Sequence, residues 1–498
     1  MPDVRGLKGP LADSYPGAVA LVVFALTPYL ALSTALTPLT PMLSKSLGMS
    51  QQSLELTAGM ANAAYAFGTV AAVQFAVHLR GRRMLVLYAT FFLIGSLLAA
   101  SAQSPGLFIA GRVLQGLCTS LMLIAAVPPL VIGWPASKMP WTAGTMNMCI
   151  FGAVALGPVI GGVQAGAGDW RPLFWIVAGV GALALLFVLL TFEDQEPQDK
   201  SAPWDLIAQL LAGAGCAAAF FGASELTTHP FGSTIVLLPL AAGAAMIVAL
   251  VVHQYVAEHP LMPVRSLATT FPVAGIVIAM AAGAASVATV ELVQMALQSK
   301  LPPAHLGALF WPEFGAAVAT AVLFGLIFRT RFVALLAFAG LLVMGAGAAV
   351  LSGVGSGSDA VVLVGSALLG LGVGASVSPA LFLAGFSLKS KQLPRVFALI
   401  ELLRGVAAFM LAPVLLHVAQ TVGGNPESGT KTAIWICFAI AIGGALIAAS
   451  LFVLGRARLQ APDLEPWLEG EQPAIESPPL GAGIRAKGAA LAVGAGRQ

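Results

Sequence analysis

The sequence predicts an all-α integral membrane protein of fourteen spans, and three observations carry that class. Of its 498 residues 58% are apolar and only 9% charged, whereas a soluble domain carries roughly 25% charged residues. The mean hydropathy is +0.92. Continuous apolar runs recur at about the 20 residues that a helix needs to cross hydrocarbon, and they lack the inside–outside alternation of a barrel. Lipid, not water, is the solvent for which this composition is suited.

In chain order the runs lie near 16–38, 54–78, 84–103, 106–133, 142–166, 172–192, 205–225 and 233–257, then 271–298, 306–328, 332–353, 359–387, 394–421 and 431–455. The polar stretch up to Tyr15 has no cleavable-signal pattern, and the first run is long enough to stay as a helix. Glu193–Asp205 reads as an acidic loop, and Arg456–Gln498 as a Pro/Gly/Ala-rich disordered tail. Orientation follows from Lys and Arg, which favour cytoplasmic loops. With the N-terminus cytoplasmic, the inner loops hold Arg80, Arg82, Arg83, Lys138, Lys200, Arg265, Arg329, Arg331, Lys389, Lys391 and Arg395, against Lys45, Arg171, Lys300 and Lys431 outside. An even number of spans then returns the C-terminus to the cytoplasm.

The net charge of +3 is spread between runs and forms no patch, so no nucleic-acid partner is expected. Cys118, Cys149, Cys216 and Cys437 stand singly in apolar segments without metal-ligand spacing. No ATP-binding P-loop is present, so no cofactor is expected and any pumping would draw on an ion gradient. No nucleophile–base pair stands out, which argues against an enzyme.

Ionisable residues inside spans are costly and mark function. Arg112 shares a helix face with Gln115 and Gly116; it either couples protons and contacts substrate or pins the helix to a neighbour's backbone. Glu291 interrupts the small-residue run Ala279–Leu297, with Gln294 one turn away, and is the sharpest candidate for exchanging a proton. Glu313, in Trp311-Pro312-Glu313-Phe314, lies about one or two turns into the next run. Glu401 and Arg404, at i and i+3, can pair on one face as a structural ion pair. Gln115, Gln294, Met280, Met295, Phe310 and Trp311 are candidate cavity residues, since polarizable side chains adapt to varied ligands. His78, Glu225, His253 and His417 lie nearer the ends, where a hydrated imidazole is the simpler reading of the histidines. Ala153, Gly157 and Gly161 make a smooth stripe, and Pro158 is expected to bend the helix there, as a rocking joint or a packing kink. Gly370, Gly372 and Gly374 are expected to loosen the twelfth span.

These segments resemble the fourteen-helix drug:proton antiporters of the major facilitator superfamily. Gly111-Arg112-Val113-Leu114-Gln115-Gly116 is similar to that family's fourth-helix motif, whose Arg is implicated in proton transfer. Gly157-Pro158-Val159-Ile160-Gly161-Gly162, followed by Asp169-Trp170-Arg171, resembles its fifth-helix antiporter motif, and His259-Pro260-Leu261-Met262-Pro263-Val264 its loop before the ninth helix. The resemblance implies two six-helix bundles (1–192 and 258–455) with an inserted pair of helices (193–257), and a site between the halves near the midplane. It also implies a gating loop at Val77-His78-Leu79-Arg80-Gly81-Arg82-Arg83, where His78 stands in the place of the family's Asp and ties the state bias to its protonation. The first helix lacks the acidic residue common in multidrug members. The expected protein is a monomeric, proton-coupled exporter of lipophilic or amphipathic small molecules in the cell (inner) membrane. The alternatives are a dedicated exporter of one metabolite, siderophore or lipid, and a non-transporting sensor or scaffold whose tail is the working part.

Overall fold

A computed structural model describes residues 8–79, 81–191, 193, 203–423 and 425–482. Arg80, Lys200, most of the loop after 193 and the tail beyond 482 lie outside them, as does the side chain of Arg82. Among the described residues fourteen helices are long and apolar enough to cross a membrane. They are α1 (Tyr15–Leu47), α2 (Gln51–His78), α3 (Arg83–Ala100), α4 (Pro105–Ile132), α5 (Ala136–Gly166), α6 (Arg171–Thr191), α7 (Leu206–Thr227), α8 (Thr234–Val256), α9 (Thr270–Gln298), α10 (Pro303–Ile327), α11 (Val333–Leu351), α12 (Asp359–Phe386), α13 (Ser390–Thr421) and α14 (Pro426–Gly455).

Local sequence punctuates these helices. The side chains of Ser14, Ser50, Ser104, Asp205 and Asn425 accept backbone N–H groups of the first turns of α1, α2, α4, α7 and α14, replacing partners that a helix start lacks. Gly48, at φ 65°, ends α1 in the left-handed region open to glycine. The connection from α1 to α2 defines one face of the bundle, called here the loop face. The opposite one, where α1 begins and α14 ends, is the terminal face.

Helices α1–α6 pack chiefly on one another, as do α9–α14. The two halves meet where α2 packs on α13 and where α5 packs on α10. The inserted helices α7 and α8 pack together, and α7 lies along α2 with a lighter contact to α13. Asp205 fastens this pair. Its carboxylate accepts the Ala208 N–H at 2.9 Å and Gln254 Nε2 at 2.8 Å, and lies 3.0 Å from His253 Nε2. Burial pushes the Asp205 carboxyl up, but these hydrogen bonds outweigh it and hold the group below the usual carboxylate range. Its N–H donates to Gln74 of α2, and His78 stacks on Trp204 with ring centroids 4.4 Å apart. His253 is thus a clasp within the inserted pair, not a hydrated helix end.

Two expectations are corrected. Low-complexity composition predicts no structure after Arg456, yet residues 456–482 fold back onto the terminal face. A short helix there, α15 (Leu464–Leu468), buries Trp467 completely. The glycines of α12 do not loosen it. A Cβ on Gly372 would come within 2.7 Å of the Met344 backbone, and those on Gly370 and Gly374 would collide with the Glu313 carbonyl and with Thr320 Oγ1. They let α10 and α11 approach closely, the usual use of small residues where lipid gives no hydrophobic drive.

Candidate transport cavity

One large cavity of ≈ 650 Å³ opens between the halves toward the loop face, within the range of about 300–1,000 Å³ usual for small-molecule sites. Its first-half wall is rich in hydroxyls and polar groups, including Ser33, Thr37, Thr40, Ser44, Thr57 and Asn62. The second-half wall brings Glu291 and Met295 from α9 with Phe409 and His417 from α13. Glu55 of α2 lines the same cavity from the other half. Sequence reasoning missed Glu55, because one turn into a run a carboxylate reads as a helix-start group; only the packing of α2 opposite α9 discloses it.

The other predicted residues separate into distinct places. Met295 lines this cavity, whereas Gln115, Gln294 and Trp311 do not. Trp311 is 51% exposed on the outside of the bundle and packs edge-on against Phe314. Gln294 is buried on α9 with no partner for either amide atom among the described residues. Gln115 is buried in the first half, accepting Arg112 Nη1 at 2.8 Å and donating to Ser96 at 3.0 Å. Arg112 itself lines none of the cavities described here. Its guanidinium lies over the Tyr29 ring at 5.0 Å, and Tyr29 donates to Asn62 in the cavity wall at 3.0 Å. Arg112 is thus linked to the cavity wall through Tyr29 and Asn62. Gly116 makes that burial possible, since a Cβ there would come within 2.9 Å of the Tyr29 hydroxyl.

Beneath the cavity floor is a small enclosed space of ≈ 20 Å³, about the room one water occupies. Glu313 and Arg404 line it, and it shares Thr34, Val287 and Phe409 with the large cavity. Glu313 is 3% exposed, and its Oε2 has no partner among the described residues. Glu291 and Glu313 thus occupy separate compartments. Glu401 and Arg404 do pair, at 2.5 Å, but the pair also spans the halves. Tyr65 of α2 donates to Glu401 Oε2 at 3.3 Å, and Arg404 lies over Phe151 of α5 at 5.6 Å. Tyr65 stacks on Tyr29 at 5.9 Å, so a continuous row runs from Arg112 to Arg404 across the floor.

The predicted gating segments also resolve. The run Met148–Gly152 of α5 is a π-helical turn, an irregularity N-terminal to Pro158, and the helix continues through Pro158. Pro158 cannot donate to Val154, four residues back, and Thr34 of α1 donates to that carbonyl instead at 2.7 Å. A Cβ on Gly157 would collide with that same Thr34 hydroxyl. Gly157 and Gly161 thus seat α5 on α1 within the first half. The approach between halves uses Gly162, where a Cβ would come within 2.7 Å of Gly307 Cα in α10. Asn147 adds a buried clasp, donating to the Gly374 carbonyl at 3.0 Å and accepting from Ser378 at 2.9 Å in α12. Gly81 and Arg83 follow His78 in the short turn that leads into α3 on the terminal face. The four cysteines are free and buried, and among the described residues no group of three His, Cys, Asp or Glu could hold a metal ion.

The family model described as Major Facilitator Superfamily matches residues 22–330. Among curated proteins, the chain is 26% identical over 263 residues to the uncharacterized MFS-type transporter YubD of Bacillus subtilis (strain 168), covering 52% of this chain and 51% of that protein. It is 25% identical over 190 residues to the lincomycin resistance protein LmrB of the same strain, covering 38% and 40%. It is 30% identical over 186 residues to the multidrug resistance protein B homolog of Mycobacterium tuberculosis (strain ATCC 25618 / H37Rv), covering 37% and 34%. The chain spans about half or less of the length of these curated relatives. Among solved structures it resembles the human organic anion transporter MFSD10, with a TM-score of 0.62 at 14% identity, covering 87% of this chain and 99% of that one. It also resembles a POT family transporter, with a TM-score of 0.65 at 12% identity, covering 90% and 97%. At these identities the likeness to solved structures establishes the fold alone.

Proposed function

Because the chain belongs to the Major Facilitator Superfamily, we propose that it is a proton-coupled antiporter that exports lipophilic or amphipathic small molecules, drugs among them. The observation that carries this reading is the pair of carboxylates, Glu55 and Glu291, that line the large cavity from opposite halves. With both termini cytoplasmic in the cell membrane, as the Lys and Arg distribution favours, that cavity opens outward. Substrate leaves and protons arrive in this state. Rocking of the halves then opens the terminal face, where incoming substrate displaces the protons. Glu291 is the main exchanging group, and Glu313 beneath the floor is a second proton site. Arg112 tunes the cavity through Tyr29 and Asn62. The segment Gly157–Pro158–Gly161 and the loop from His78 through Gly81, Arg82 and Arg83 serve the conformational change. Relatives named for lincomycin and multidrug resistance support drug export.

Binding of tetraphenylphosphonium to the purified protein tests this. A charge-assisted contact contributes about 1.5–3 kcal/mol, so Glu291→Gln and Glu55→Gln are each expected to weaken binding by about 10- to 100-fold. Wild-type affinity in both variants would sink the reading. A second reading, a dedicated exporter of one compound, is favoured by the hydroxyl-lined wall of α1 and α2, which suits a defined set of hydrogen bonds. It predicts that a single ligand binds while a broad panel of lipophilic cations does not.

A further inference from the structure

The segment after α14 is more than a tail, and its contacts divide unequally between the halves. Trp467 is fully buried, donates its indole N–H to the Leu388 carbonyl at 2.8 Å, and packs edge-on against Phe386 at 5.1 Å. Ile475 N–H donates to the Phe386 carbonyl at 3.1 Å. The start of α9 is held as well. Thr270 N–H donates to the Pro478 carbonyl at 2.9 Å, and Phe271 N–H to Ser477 Oγ at 2.9 Å. All these partners belong to the second half. The segment is closed on itself by Gln460, which donates to the Glu476 carbonyl and accepts the Glu476 N–H, both at 3.1 Å. On its other side, α15 rests against Ala136–Lys138, the first turn of α5 in the first half.

We propose that residues 457–482 form a strap, anchored on the second half, that reaches across the seam and holds the terminal face closed while the opposite cavity is open. The anchor side is dense in backbone hydrogen bonds and buried aromatic surface. The first-half side is a contact with one short turn. When the halves rotate to open the terminal face, the weaker contact breaks and the strap travels with α9 and α12. The strap therefore stabilises the cavity-open state alone, and whatever lifts it off Ala136–Lys138 shifts the equilibrium toward the other state. This inference rests on the alternating-access reading above.

Double electron–electron resonance on the full chain in lipid nanodiscs tests it. Spin labels are placed at Leu79→Cys in the first half and Arg331→Cys in the second, both exposed at the terminal face; the four native cysteines are buried. Trp467→Ala removes the anchor. Gln460→Ala, a milder variant that leaves the aromatic contact intact, opens the self-closure. Hydrogen exchange over 460–476 reports release in each. The expected result is faster exchange and a rise of about fivefold or more in the ratio of long to short label distances. A released strap with an unchanged distance distribution in both variants overturns the proposal. Neither measurement uses transport, so failure of the export reading leaves this test intact.

Discussion

Replacing Arg404 by Leu is expected to destabilise the folded protein by about 3–5 kcal/mol. Arg404 and Glu401 are 5% and 1% exposed, and Arg404 donates to Glu401 through Nε at 3.2 Å and through Nη2 at 2.5 Å. Removing the guanidinium strands a carboxylate whose remaining partner among the described residues is the Tyr65 hydroxyl. The double variant Glu401→Leu/Arg404→Leu should recover most of the loss, because two apolar side chains leave no uncompensated charge. Denaturation of the purified proteins in detergent checks both. If the double variant is as unstable as the single one, the pair is more than a neutralised couple, and its contacts to Tyr65 and Phe151 carry independent weight.

Gly157→Val is the second large effect, and it acts within the first half. The new side chain meets the Ala31 carbonyl at 2.5 Å from its Cβ and displaces the Thr34 hydroxyl. That hydroxyl donates to the Val154 carbonyl, which Pro158 cannot bond. Overpacking costs about 1–3 kcal/mol, and the stranded carbonyl adds about 1–3 kcal/mol. Gly162→Val differs in kind. Its Cβ meets Gly307 and the Pro303 carbonyl across the seam, so it should alter the distance between α5 and α10 more than the unfolding midpoint. Unfolding of both variants beside an interspin distance between α5 and α10 separates the two outcomes. Equal loss of stability in both would mean that the α5–α10 contact is as structural as the α1–α5 one.

Hydropathy made the spans legible because the bilayer demands long apolar helices wherever the chain crosses. What it could not show is lateral packing. Glu291 is legible as a lone carboxylate among small residues, whereas Glu55 lies in the polar first turns of α2, where a carboxylate is commonplace, and only the fold brings it to the cavity. The i, i+3 spacing disclosed the Glu401–Arg404 pair, but Tyr65 and Phe151 come from elements more than two hundred residues away in sequence. The burial of Arg112 is legible in the sequence; that its guanidinium lies over Tyr29, with no carboxylate partner among the described residues, follows only from how α4 meets α1. The folded segment after α14 was hidden because Pro- and Gly-rich composition reads alike whether a chain floats free or lies extended on a surface. Its sparse large residues, Leu464, Trp467 and Ile475, were the signal.

The central question is whether the carboxylates of Glu55 and Glu291 couple protons to substrate movement. Purified protein in liposomes, with a proton gradient imposed and tetraphenylphosphonium as the moving probe, measures this directly. The gradient is expected to drive accumulation of the probe with proton counterflow, and Glu291→Gln to abolish the dependence on the gradient while the protein remains folded. Probe movement that ignores the gradient in the wild type, or gradient-driven movement that persists unchanged in Glu291→Gln, would contradict that coupling.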